Sequence, residues 1–187
     1  MEKYWNKAIN FEQYLEETKS RFENPKTEED REKKPYYELG IQRMERMLKV
    51  FRPSEEDLKT LEDKKFKGKI LIISEGWCGD ASQCVPVLDT FFKDKNEVRI
   101  FYRDADTSLI DQFLTNGARA IPKVLILDEN FNVKNTWGPR PAYGLELFKK
   151  FKADPQNYPR ETFYNDLQVY YAKNRGKDTV KEILELI

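Results

Sequence analysis

Both cysteines of the chain fall in one ten-residue run, Trp77 to Pro86, reading WCGDASQCVP, with five residues between Cys78 and Cys84. A cysteine does nucleophilic or redox chemistry as its thiolate, and a working dithiol pair normally has the tighter C-x-x-C spacing. Cys78 follows a buried-strand pattern and opens a helical one. Unpaired backbone N–H groups and the helix dipole favour an anion there, which lowers a thiol pKa. Gly79 lets another backbone approach, Trp77 can shield one side of the sulfur, and Asp80 opposes a thiolate by like charge. Cys84 is a poor partner for Cys78. Six helical residues span about 9 Å of axis, whereas a disulfide needs Cα atoms within about 7 Å. Cys84 belongs instead to the stripe Ala81, Cys84, Val85, Leu88, Phe91 and Phe92, which reads as the core face of a helix that Pro86 should kink.

Composition narrows the remaining chemistry. The 187 residues contain no histidine, which removes Ser-His-Asp and Cys-His nucleophile systems, HExxH zinc sites and imidazole switching. Two cysteines build neither a structural zinc site nor a disulfide scaffold, so no metal or other cofactor is expected. The 33 basic and 33 acidic residues cancel, and no global field draws the chain to nucleic acid or an anionic membrane. The unbroken aliphatic runs ILII and VLIL are four residues each, too short to span a bilayer, and MEKYWNKAINFEQYLEE lacks a signal-peptide core. A reducing, cytoplasmic setting is the expectation.

The elements that must position the cysteine change character near Lys69. Before it, NFEQYLEETKSRF carries Phe11, Tyr14, Leu15 and Phe22 at helical spacing, with Thr18 in the intervening turn. After the polar stretch ENPKTEEDREKKP, a second helix puts Leu39, Ile41, Met44, Met47, Leu48 and Phe51 on its apolar face. Ser54, with Asp57 three residues on, caps a short third. From Lys69 the pattern alternates: strand KILIIS, helix ASQCVPVLDTFFKD, strand VRIFYRD, helix TSLIDQFLTN, strand KVLILD, turn ENFN, strand VKNTWG, helix YGLELFKKFK. This β-α-β-α-β-β-α order predicts an α/β fold, a central mixed sheet of about four strands with helices on both faces. Two further helices follow Pro159, divided by Gly176 as a C-cap. The expected organisation is an N-terminal helical extension over 1–65, an α/β domain over 66–152 and a C-terminal helical extension over 153–187 packed on it.

WCGDASQCVP resembles the active-site segment of the thioredoxin-like superfamily, with Cys78 at the attacking position and Pro86 at the helix-kinking proline. ARAIPKVLIL resembles the second hallmark of that fold, an Ile-Pro before the hairpin strand. The resemblance makes Pro122 a cis-proline and places Ile121 and Pro122 beside the sulfur. It covers residues 66 to 152, and WCGD together with WGPRP is similar to a bacterial branch with helical extensions. It also puts Arg140 of the WGPRP loop near the site, to steady a thiolate or grip an acidic substrate group, beside the plainer reading of a solvated loop arginine or an ion pair within the fold.

The departures from the pattern matter as much. The resolving position holds Ala81, and the core position six before Cys78, acidic in typical members, holds Ile72. Without a resolver, a mixed disulfide on Cys78 is not released by intramolecular attack. Three readings stay open. In one, Cys78 carries monothiol thiol–disulfide exchange or related thiol redox chemistry on a protein disulfide or a low-molecular-weight thiol. In another, the chain is a non-enzymatic binding module using the groove of Trp77, Ile121 and Pro122. In the last, Cys78 is a relic and function lies in the helical extensions. Trp77, Gly79, Asp80, Ile121, Pro122 and Arg140 are the candidate substrate-binding residues. Oligomeric state is left open.

Overall fold

The computed structural model describes residues 1–187. Four strands form one mixed sheet: β1 (Lys69–Ser74), β2 (Val98–Tyr102), β3 (Lys123–Leu127) and β4 (Val133–Trp137), in the order β2-β1-β3-β4. β1 runs parallel to β2, with Ile72 opposite Ile100, and antiparallel to β3, with Ile72 opposite Val124. The hairpin partner β4 pairs antiparallel with β3. Ile70 to Ile73 are wholly inaccessible, as befits a central strand covered on both faces.

Eight helices surround the sheet: α1 (Glu2–Trp5), α2 (Phe11–Glu23), α3 (Glu28–Val50), α4 (Glu55–Lys64), α5 (Ala81–Phe92), α6 (Ala142–Ala153), α7 (Arg160–Asn174) and α8 (Lys177–Leu184). None is long and apolar enough to cross a membrane. α5 packs against α3 and α8, and α6 against α7. The N-terminal segment also guards the open edge of the sheet. Ile9 pairs with Ile100 of β2, donating its N–H at 2.9 Å and accepting one at 2.7 Å, which satisfies part of an edge that would otherwise invite pairing.

Local chemistry explains where helices begin. Asn10 and Gln13 form a reciprocal capping box at α2, and Thr27 and Asp30 form another at α3. The second box starts α3 at Glu28, inside the stretch expected to be a polar linker, and Pro35 is carried within the helix. The buried face of α3 is Tyr37, Gly40, Met44 and Met47, while Leu39 and Leu48 of the expected face are exposed. The reason is a close approach at Gly40. A Cβ there would sit 2.7 Å from the Gly76 carbonyl oxygen, so the helix turns its glycine to the β1–α5 loop and Leu39 away from the core.

TSLIDQFLTN is not the expected helix. Only a 3-10 turn, Ile110–Gln112, forms. Asp106 takes the N–H and hydroxyl of Ser108 at its start, and Asn116 and Gly117, both at positive φ, close a tight bridge between Thr115 and Ala118 at its end. Leu109 and Ile110 are buried, but Leu114 is exposed, leaving no continuous apolar face to hold a full helix down. Past α7, Arg175 takes the left-handed C-cap, one residue earlier than the expected Gly176, which becomes the N-cap of α8.

Candidate thiol site and its cleft

β1 ends at Ser74, and residues 75–80 turn the chain into α5. The turn is closed by the Cys78 N–H donating to the Glu75 carbonyl at 3.0 Å and the Ser82 N–H to the Cys78 carbonyl at 3.0 Å. Cys78 is therefore fixed in the last turn before the helix, with Asp80 as N-cap. The N–H groups of Ala81 and Asp80 favour a thiolate there, as the helix start predicts.

Burial reverses the outcome. Cys78 is only 7% accessible, and its Sγ–H donates to the Ile121 carbonyl at 3.4 Å. Burial first, and the Asp80 charge second, push the thiol up to about 12, against the backbone N–H groups and Arg140. Asp80 acts in the expected direction. The depressed pKa expected from the helix end alone is overturned, because desolvation of an anion outweighs a few backbone dipoles.

Asp80 is itself held in a network. Its Oδ2 lies 2.7 Å from Arg140 Nη2, and its Oδ1 accepts the Tyr171 hydroxyl at 2.6 Å. Burial raises the Asp80 carboxyl while Arg140, Tyr171 and Arg43 pull it down. Arg140 sits over the rings of Phe148 and Phe163 at 5.3 and 5.5 Å. It reaches the site from the loop after β4 and is paired with Asp80 in a largely buried ion pair, not solvated as a loop arginine. Its Nε and Nη1 are buried without a hydrogen-bond partner.

Trp77, half-buried, stands between the Lys33 ammonium at 4.0 Å and the Arg103 guanidinium at 5.1 Å from its ring. Trp77, Cys78, Gly79, Asp80, Ile121 and Arg140 all line one cleft of about 580 Å³. Pro122 does not; it is buried, and Pro139 takes part in the lining instead. The Ile121–Pro122 and Gly138–Pro139 peptide bonds are cis. Cys84 is inaccessible and does not line the cleft: Thr179 donates to its sulfur at 3.7 Å, and the Tyr171 hydroxyl, which donates to Asp80, lies 4.0 Å away. Burial also pushes its thiol far up. Both cysteines are free, and Ala81 at the resolving position is fully buried.

Sequence reading missed the other walls. Lys33, Tyr36, Leu39 and Arg43 come from α3, and Arg160 and Tyr164 from α7. α3 and α7 thus build much of the cleft. Glu75 was missed as well: a buried carboxylate three residues before Cys78, accepting the Asp104 N–H at 2.8 Å and facing Arg21 at 3.8 Å. Burial raises it to about 7. No group of three His, Cys, Asp or Glu side chains is arranged to hold a metal ion.

The family model described as Thioredoxin matches residues 27–152, a stretch that takes in α3 and α4 as well as the sheet. Among solved structures, the chain is similar to a protein of unknown function, PA1234, from Pseudomonas aeruginosa. The two share 17% identity over 96% of this chain and 91% of that one, with a TM-score of 0.62. It is also similar to an HIV epitope-scaffold at 16% identity over 98% and 94% of the two chains, with a TM-score of 0.65. At these identities the likeness is one of fold. No curated protein matches.

Proposed function

The chain belongs to the thioredoxin family, and on that premise we propose that it is a ligand-binding module in which the thiol at the attacking position is masked. The observation that carries this reading is the state of Cys78. It is buried, donates to the Ile121 carbonyl and is raised to about 12, while the cleft beside it stays open at about 580 Å³. At neutral pH a thiol with that pKa holds about one thiolate in 10⁵. Ala81 and the buried Cys84 offer no resolving thiol, so a covalent adduct on Cys78 has no internal exit. Trp77 and Ile121 supply apolar contact in the groove.

One observation favours monothiol exchange as a second reading: the Ala81 and Asp80 N–H groups favour a thiolate at Cys78. There the sulfur would attack one sulfur of a protein or low-molecular-weight disulfide and expel the other as a thiol. A second thiol would then release the mixed disulfide, restoring the Cys78 thiol.

Iodoacetamide alkylation against pH separates the two. Masking predicts that folded protein resists alkylation below about pH 10, and that Cys78→Ser protein binds cleft ligands as well as the parent does. A Cys78 midpoint well below about 8.5, with a mixed disulfide trapped on exposure to a small disulfide, would establish exchange and end the masking reading.

A further inference from the structure

The charge in the cleft is lopsided for a chain whose acids and bases cancel. Lys33, Arg43, Arg103, Arg119, Arg140 and Arg160 line it, against the single carboxylate of Asp80. Four of these cations are already matched: Lys33 to Glu29, Arg103 to Asp104, Arg119 to Asp111 and Arg140 to Asp80. Neither Arg43 nor Arg160 has a carboxylate within ion-pair distance, although Arg43 feels the Asp80 charge at longer range. Arg43 makes neither a hydrogen bond nor an ion pair, although it is half-buried and desolvated. Arg160 donates only to the Tyr164 hydroxyl, at 3.2 Å. Arg140, though paired through Nη2, has two further buried donors without partners. Arg160 is exposed, whereas the desolvated guanidinium groups without acceptors, Arg43 and the free donors of Arg140, are costly unless a ligand completes them.

Apolar surface collects at the same place. Tyr36, Leu39 and Tyr164, 60%, 45% and 46% accessible, are among the most exposed large apolar side chains of the chain, and all three line this cleft. Tyr36 and Leu39 come from α3 and Tyr164 from α7. Walls on both sides deepen the site into an open cleft whose volume lies in the range of about 300–1,000 Å³ typical of small-molecule sites.

We propose that the cleft binds a small organic oxyanion, a molecule with a carboxylate or phosphate head and an aromatic or aliphatic body. The head is gripped by Arg43 and Arg160, and the body lies against Tyr36, Leu39 and Tyr164. Guanidinium forks suit both carboxylate and phosphate geometry. The proposal rests on the reading of the cleft as a ligand site and names the chemistry it selects. It gives α3 and α7 a role, since both free cations and the exposed apolar side chains come from them.

A set of probes with one body and different heads tests it: 4-phenylbutyrate, 4-phenylbutyl phosphate, 4-phenylbutanol and 4-phenylbutylamine, titrated calorimetrically into the whole chain. The two anions are expected to bind at least ~10-fold more tightly than the amine, with the alcohol between, and to weaken as salt is raised. Whichever anion binds more tightly identifies the head as carboxylate or phosphate. Arg43→Gln and Arg160→Gln are each expected to weaken the anions ~3- to 5-fold and leave the alcohol unchanged. Circular dichroism verifies that both variants fold. Arg140 is left intact because it holds Asp80. Equal affinity for every head, or preference for the amine, overturns the oxyanion proposal while leaving a ligand cleft in place. Failure of all four probes to bind overturns the ligand cleft itself, and the proposal with it.

Discussion

Arg140 reaches from the loop after β4 to place its Nη2 2.7 Å from Asp80 Oδ2, two residues beyond the thiol, and both side chains are nearly closed off from solvent. The pair links the thiol loop to the β4–α6 loop and keeps a negative charge beside Cys78. Asp80→Asn removes that charge and leaves the Arg140 cation facing the sulfur. The expected result is a Cys78 titration midpoint about one unit or more below that of the parent, with alkylation near pH 9 about 10-fold faster. Breaking a largely buried pair should also lower stability, by about 2–4 kcal/mol. The alkylation profile is the decisive reading. A profile identical to the parent's would mean that burial alone silences the thiol and that Asp80 has no electrostatic hold on it.

The two cysteines should separate in a stability measurement. Cys78 uses its hydrogen on the Ile121 carbonyl, and a serine hydroxyl can make the same donation. Cys78→Ser should therefore cost no more than about 1 kcal/mol in urea denaturation. Cys84 is fully enclosed near Tyr171 and Thr179. Cys84→Ala leaves a gap there and should cost about 1–2 kcal/mol, without changing binding in the cleft. The opposite order would show that Cys78 is the structural sulfur and would remove the ground for calling it a site residue.

The sheet was readable because its signals are local. ILII and VLIL are runs of branched and aliphatic residues bounded by Lys, Gly and Asp, and they became β1 and β3. The start of α3 was also written locally, as Thr27 with Asp30, but Glu-Glu-Asp-Arg-Glu-Lys-Lys suggested a solvated linker and hid it. TSLIDQFLTN misled in the other direction. Leu109, Ile110, Phe113 and Leu114 have helical spacing, and only tertiary context shows that two of the four reach the core. Cys78 and Asp80 were found from their own motif. Arg43, Arg160 and Tyr171 were not, because each looks like an ordinary polar residue on a helix face until folding brings α3, α7 and the β1–α5 loop together.

Glu75 gives the protein a pH dependence with a definite sign. Its carboxyl is raised from 4.5 to about 7, chiefly by burial. Between those values the folded protein keeps a proton that the unfolded chain has lost, so stability from this group is full below pH 4.5, declines as pH rises to 7, and is level above. The whole effect is about 3 kcal/mol. Glu75→Gln keeps an oxygen for the Asp104 N–H and abolishes the cost of a buried charge. It should be more stable than the parent by about 1–3 kcal/mol at pH 8 and equal to it at pH 4. If Glu75→Gln is instead the less stable at pH 8, the charge pair with Arg21 outweighs burial and the sign is reversed.

Gly138 decides whether the loop carrying Arg140 can reach Asp80. It has φ +115°, and a Cβ on it would lie 2.2 Å from the Pro122 carbonyl oxygen, so both its conformation and its space exclude a side chain. Gly117 separates the two effects: its φ is +77°, but nothing lies within 4 Å of where its Cβ would be. Gly117→Ala should cost about 1 kcal/mol, the strain of the left-handed backbone alone. Gly138→Ala should cost more than about 3 kcal/mol, because backbone cannot yield as a flexible side chain can. Displacing the loop withdraws Arg140 from Asp80, so the variant should also bind oxyanion probes more weakly and show a Cys78 titration different from the parent's. Equal costs for the two substitutions would mean that the loop moves freely against Pro122, and that the position of Arg140 is not set by this contact.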